Sequence, residues 1–129
     1  MTAASARLLL DTHVLLWWLE DSPELSEDLK DRIDSELEVH VSAATVWELS
    51  IKTALGKLEI PDDLTEVLEQ SGLSELPIRF HHAERAGRLP PVHRDPFDRM
   101  LIAQALTERL TLVTRDELIH KYDVPILMA

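Results

Sequence analysis

Short apolar runs along this chain alternate with stretches whose hydrophobic residues recur every three or four positions. Arg7-Leu8-Leu9-Leu10 reads as a buried strand ending at Asp11, and the run Val14 to Leu19 behind it suits a helix. Asp21-Ser22-Pro23 breaks the chain. Leu25, Leu29, Ile33 and Leu37 then recur every four residues on a second, strongly acidic helix. Val39-His40-Val41-Ser42 predicts a second strand, and Ser42 is a suitable cap for a helix from about Ala43 to Leu55 that ends near Gly56. Pro61-Asp62-Asp63 opens another helix, to about Gln70, which Gly72 closes.

In the second half, Leu76-Pro77-Ile78 reads as a short edge strand, because proline has no N–H to donate to a sheet. His81 to Leu89 follows as a short helix ended by Pro90-Pro91. Asp95-Pro96 opens the next, about Pro96 to Leu110. Thr111 to Thr114 is a β-branched strand and Pro125 to Leu127 a last one. Strands alternating with helices, without repeats or a linker, predict an α/β fold with a central, mainly parallel sheet and a single domain over residues 1–129.

Composition narrows the choice. At 129 residues and 45% hydrophobic, the chain can bury a core without staples, and the absence of cysteine excludes disulfides, thiolate zinc sites and cysteine nucleophiles. The start Met-Thr-Ala-Ala-Ser-Ala has neither a basic nor an apolar leader region, and no apolar run exceeds Val14 to Leu19, so a cytoplasmic protein without a membrane span is expected. A formal charge of −11 runs against nucleic-acid binding, but it is unevenly spread. Residues 1–75 hold 17 acids and 5 bases, whereas residues 76–129 hold 7 acids and 8 bases. Arg79, Arg85, Arg88, Arg94 and Arg99, with His81, His82 and His93 between them, form either a phosphate-contacting strip or ordinary solvated helix faces.

Four acids stand out. Asp11 follows the first strand and Asp116 follows Thr111–Thr114 by two residues, so both fall at the carboxyl ends of parallel strands, where open sheets bind ligands. Each also has a plain role as a helix cap. Glu48 lies on or beside the apolar stripe of its helix, although an exposed i, i+4 pair with Lys52 would explain it equally. Asp98 sits three, four, seven and eight positions before Leu101, Ile102, Ala105 and Leu106, at the head of a core-facing stripe. Carboxylates converging at one sheet rim repel and raise one another's pKa unless a cation compensates them, and an all-oxygen site suits Mg²⁺ or Mn²⁺. Such sites serve phosphoryl chemistry.

Leu8-Leu9-Leu10-Asp11-Thr12-His13, Trp47-Glu48-Leu49, the thirteen residues His93 to Ala105 (His-Arg-Asp-Pro-Phe-Asp-Arg-Met-Leu-Ile-Ala-Gln-Ala) and Thr114-Arg115-Asp116 resemble the PIN-domain nucleases. More narrowly, the chain resembles VapC-type toxins of bacterial type II toxin–antitoxin modules, over about residues 7 to 128. The resemblance implies a three-layer α/β/α sandwich, Mg²⁺- or Mn²⁺-dependent endoribonuclease activity on RNA, a homodimer, and a small Phd- or VapB-type antitoxin laid over the active-site groove. By position it implies Asp11, Glu48, Asp98 and Asp116 as the catalytic and metal-binding acids. Thr12 and Thr114 match hydroxyl-bearing positions beside the pocket, and Asp95 is a helix cap and outer-shell group. Arg99 and Arg115, each beside a pocket acid, either touch RNA phosphates or balance the carboxylates.

Trp17, Trp18 and Trp47 are expected in the core or at an interface rather than stacked on bases, and His13 reads as a polar turn residue. His81, His82 and His93 lack metal-ligand spacing with one another. Two other classes use an aspartate in a related place. A haloacid-dehalogenase-like phosphatase needs a second aspartate where His13 stands, and a receiver-type signalling domain needs a phospho-accepting aspartate and a later lysine that the pattern lacks. A non-catalytic PIN scaffold acting through a protein partner is the remaining rival.

Overall fold

A computed structural model describes residues 6–129; the leader-free reading of residues 1–5 lies outside them. Five parallel strands, β1 (Arg7–Leu10), β2 (Glu38–Ser42), β3 (Ser74–Leu76), β4 (Thr111–Thr114) and β5 (Ile126–Met128), lie in the order β3-β2-β1-β4-β5. Six helices connect them: α1 (Thr12–Leu19), α2 (Glu27–Ser35), α3 (Ala43–Ala54), α4 (Leu64–Gln70), α5 (Phe80–Arg88) and α6 (Pro96–Glu108). A 3-10 turn at Ile119–Lys121, which the hydrophobic pattern did not reveal, leads into β5.

Alternation along the strands creates the layers, since successive side chains leave a strand on opposite faces. Leu8 and Leu10 of β1 join Val14, Leu15, Leu29, Ile33, Leu49, Leu64 and Leu68 in one core, under α1 to α4. Leu9 between them points the other way and joins Leu101, Ile102, Ala105, Leu112 and Ile119 in a second core under α6. The result is a three-layer α/β/α sandwich. Among the described residues no helix is long and apolar enough to cross a membrane.

Several boundaries differ from the sequence reading. The edge strand is Ser74–Leu76 and stops before Pro77, with Ser42 paired to Leu76, because Pro77 has no N–H to extend the ladder. Leu37 falls beyond α2, which ends at Ser35, and is 87% exposed; the spacing of four continued past the point where the chain turns into β2. Helix α6 ends at Glu108 rather than Leu110, with Arg109 in the left-handed conformation at φ 57°. The last strand begins one residue later than its apolar run suggested, since Pro125 contributes only its carbonyl, accepting from Leu112 N–H at 2.9 Å. Trp17 and Trp18 pack against the first core, but Trp47 is 62% exposed and meets Phe97 edge-on, with ring centres 5.2 Å apart.

Leu9 is wholly buried in the middle strand. Leu9→Ala is expected to destabilise the protein by about 2–5 kcal/mol in urea unfolding, because the cavity lies between a fixed sheet and α6 and cannot collapse. A loss below about 1 kcal/mol would show that the second core is loosely packed.

Candidate active site

Strand order reverses between β1 and β4, so the chain leaves these neighbours in opposite directions and a crevice opens beyond their carboxyl ends. Asp11 stands at that point. One of its oxygens accepts from the Val14 N–H at 2.9 Å, capping α1, and the other accepts from the Thr114 hydroxyl at 2.5 Å. Capping and pocket roles therefore coexist in one side chain. The Thr114 hydroxyl also accepts from the Asp116 N–H at 3.1 Å, and so ties the two aspartates together across the strands.

Glu48 comes in from α3 and is buried. Thr12 Oγ1 donates to Glu48 Oε1 at 2.7 Å, and Lys52 Nζ lies 2.9 Å from Oε2. The i, i+4 pair with Lys52 is thus real, but it does not keep Glu48 on the surface. Thr45, whose hydroxyl is 3.4 Å from that of Thr12, completes a buried polar wall.

Asp98 arrives on the first turn of α6. Asp95 caps this helix, accepting from the N–H groups of Phe97 at 2.8 Å and Asp98 at 3.3 Å, and Pro96 fills the first helical position. The cap frees the Asp98 side chain to face the crevice. Its pKa is pushed up to about 7, chiefly by burial and then by the neighbouring charge of Asp95, with Asp11 and Glu48 adding to the rise and His93 opposing it. Burial likewise raises Asp11, against the hydrogen bonds from Thr114 and Val14. These two acids are held where their charged forms lack compensation.

Asp116 closes the ring from the β4 side. Its Oδ1 accepts from the Leu118 N–H at 2.9 Å and its Oδ2 meets His93 Nε2 at 2.8 Å. His93 Nε2 also lies 3.1 Å from Asp98 Oδ2. His93, Asp98 and Asp116 each offer a ligand atom, all within 4.8 Å of one another. The sequence offers His93 as part of a basic strip, and its contact with acids 5 and 23 positions away comes from the fold of the loop.

Arg99 and Arg115 point elsewhere. The Arg99 guanidinium donates to the carbonyls of Ala86, Leu89, Pro90 and His93 at 2.8–3.2 Å, tying the last turn of α5 to the segment after it. Arg115 stacks on Trp17 at 4.3 Å, pairs with the Glu24 carboxylate at 2.8 Å and reaches the Ala129 carbonyl. His82 is a buried structural group as well, accepting from the Arg79 N–H and meeting Glu108 at 2.9 Å. The basic strip read from sequence is therefore partly absorbed by the fold.

A family model described as the PIN domain matches residues 8–125. The chain belongs to the PIN-domain family. Among its relatives, Ribonuclease VapC22 of Mycobacterium tuberculosis (strain ATCC 25618 / H37Rv) is 26% identical and aligns over 92% of this chain and 93% of its own length. The fold is similar to that of DNA-bound VapBC from Salmonella typhimurium, at a TM-score of 0.71 and 20% identity, covering 95% of this chain and 98% of that one. It is also similar to FitAcB from Neisseria gonorrhoeae, at a TM-score of 0.68 and 27% identity, covering 93% of this chain and 96% of that one. In this PIN domain the carboxylates of Asp11, Glu48, Asp98 and Asp116, with Asp98 raised by burial and by its acidic neighbours, fit a hard divalent cation.

A pH dependence follows from Asp98. Its folded-state pKa, about 7, lies above the ordinary value of 3.8, so the folded protein binds this proton more tightly than the unfolded chain. Between these values stability falls as pH rises. Without divalent ions, the protein is expected to need less urea to unfold at about pH 8 than at about pH 5.5, and Asp98→Asn is expected to flatten that slope. Equal slopes in the two proteins would show that Asp98 ionises freely.

Proposed function

We propose that this PIN domain, read as one unit over residues 1–129, is an Mg²⁺- or Mn²⁺-dependent endoribonuclease and the growth-inhibiting toxin of a toxin–antitoxin pair. The observation that carries the reading is the convergence of Asp11, Glu48, Asp98 and Asp116 at the sheet's switch point, with Asp98 raised first by burial and then by the charges of its acidic neighbours. A divalent cation held by these carboxylates would remove that conflict and let a phosphodiester approach a surface that otherwise repels it.

Bound among these four carboxylates, Mg²⁺ or Mn²⁺ supplies Lewis-acid polarisation of the phosphate and a water of lowered pKa. The chain's own residues prepare the place. Thr114 and Val14 orient Asp11, Thr12 and Lys52 orient Glu48, and the Asp95 cap sets the direction of Asp98. These groups hold the carboxylates before substrate arrives, so little reorganisation accompanies reaction. Hydrolysis by water attacking in line is expected to leave a 5′-phosphate and a 3′-hydroxyl.

RNA as the substrate is supported by the relative named as a ribonuclease, and an antitoxin partner by the likeness to VapBC. A small Phd- or VapB-type antitoxin that covers the crevice with a basic side chain would satisfy the same carboxylates. A cytoplasmic homodimer completes the reading. Purified protein incubated with total RNA is expected to cut it with Mn²⁺ or Mg²⁺, to stop on adding EDTA, and to lose cleavage in Asp98→Asn. Equal cutting in every lane, or none under either metal, defeats the proposal.

A further inference from the structure

We propose that His93 is a positioning residue of the carboxylate site, fixed with its proton on Nε2 so that it orients Asp116 by donation and does not itself ligate the cation. The inference rests on the metal-dependent reading above and specifies how that site is held.

Every polar atom of His93 has a partner. Its backbone N–H donates to the Tyr122 hydroxyl at 2.8 Å, and that hydroxyl donates to the Pro90 carbonyl at 2.6 Å. Its carbonyl accepts from Arg99 Nη1 at 3.2 Å. On the ring, Nδ1 accepts from the Asp95 N–H at 3.2 Å, while Nε2 lies 2.8 Å from Asp116 Oδ2 and 3.1 Å from Asp98 Oδ2. The side chain is only 9% exposed, so water does not supply an alternative set of partners.

The Asp95 N–H decides which ring nitrogen carries the proton. A backbone amide can only donate, so Nδ1 presents its lone pair and the ring proton resides on Nε2. That proton is aimed at Asp116. The spacing of His93, Asp98 and Asp116 would also suit three metal ligands, but ligation through Nε2 requires that nitrogen's lone pair. The proton would then move to Nδ1 and face the Asp95 N–H, setting two donors against each other in a buried place. The Asp95 amide is not free to turn away, because the Asp95 side chain caps α6.

The consequence is a division of labour. Asp116 accepts at Oδ1 from Leu118 and at Oδ2 from His93, so its plane is set from two sides. Asp98 receives a close electropositive neighbour that opposes the repulsion from Asp95, Asp11 and Glu48. His93 thereby holds two carboxylates from opposite elements, α6 and the segment after β4, near each other in the absence of a cation.

The imidazole ¹⁵N–¹H correlation spectrum of the wild-type protein, recorded with and without Mg²⁺ at about pH 8, reads this directly. The expected result is an Nε2–H pattern for His93 in both samples. A switch to Nδ1–H when Mg²⁺ binds makes His93 a ligand and overturns the inference. Calorimetric Mg²⁺ titration supplies an independent arm. His93→Phe is expected to weaken Mg²⁺ binding by roughly 10–100-fold, the usual effect of losing a group that orients a ligand, while His93→Gln, whose amide N–H reaches the same place, recovers most of it. Circular dichroism confirms that each variant is folded. Equal losses in both variants, or no loss in either, overturn the positioning role. If the wild-type protein binds no divalent ion at all, the metal reading fails and this role with it, whereas a bound ion with the proton moved to Nδ1 sinks the present inference alone.

Discussion

The hydrogen bond from Thr114 to Asp11 is the constraint around which the rest is arranged. It joins the carboxyl ends of β1 and β4, the two strands between which the sheet reverses its order, and it is buried on both sides. Because β1 and β4 are parallel neighbours, their exits stand side by side while the segments that follow diverge. A crevice at that point is a product of topology rather than of any loop. Asp11 has to meet three demands there: cap α1, accept from β4 and face the crevice. Aspartate satisfies all three with two oxygens, whereas asparagine would present a donor to one of its donors.

The same economy governs the other acids, and it explains how a fold tolerates them. Gathering carboxylates costs stability through burial and mutual repulsion, as the raised pKa of Asp98 and Asp11 shows. The compensation comes in small pieces from neighbours that are each anchored by another element: Thr12 on Glu48, Lys52 on Glu48, Thr114 on Asp11, His93 on Asp116. None of them leaves Asp98 with a full counter-charge. The site is stable enough to form and still short of positive charge, which is the condition under which a divalent cation, or a basic side chain from a partner, binds with most effect. On the proposed reading, a net charge of −11 is compatible with a nucleic-acid substrate, because the contact would be made through a bound cation.

How far this was legible in the residues depended on whether the relevant period was local. The leucines of β1 and the valines of β2 announced their strands, and Asp95-Pro96 announced α6, because capping and burial are set by neighbours in sequence. Asp98 was visible for the same reason, as the head of a buried helical stripe. The signals misled where a period ran past its element: Leu37 kept the spacing of α2 although the helix had ended, and Pro77 sat in an apolar run that the sheet could not use. His93 reads in sequence as part of a phosphate-contacting strip or a solvated face, whereas in the fold it meets the carboxylates. Its partners, Asp116 and Tyr122, lie 23 and 29 positions away, and no local rule connects them. Apolar surroundings suit Trp47 to either the core or an interface, and its exposure excludes the first, because the apolar breadth of α3 exceeds what the sheet covers.

The stretch from His93 to Gln104 shows why so long a motif can be needed to place one acid. A helix turns about 100° per residue, so Asp98 and Arg99 leave α6 in different directions. Asp98 enters the crevice, while Arg99 turns back to the Ala86 carbonyl of α5 and to three carbonyls of the segment that carries His93. That segment is thus held by the helix it precedes. Asp95 caps the same helix and, through its own N–H, sets the His93 ring. Leu101 and Ile102 seat the helix on the sheet, and Gln104 anchors the other end of the connection through the Pro77 carbonyl at 3.2 Å. Each residue fixes another, and the loop returns to Asp98. Substituting Arg99 for its charge alone would therefore disturb the site through His93, although Arg99 touches none of the four acids.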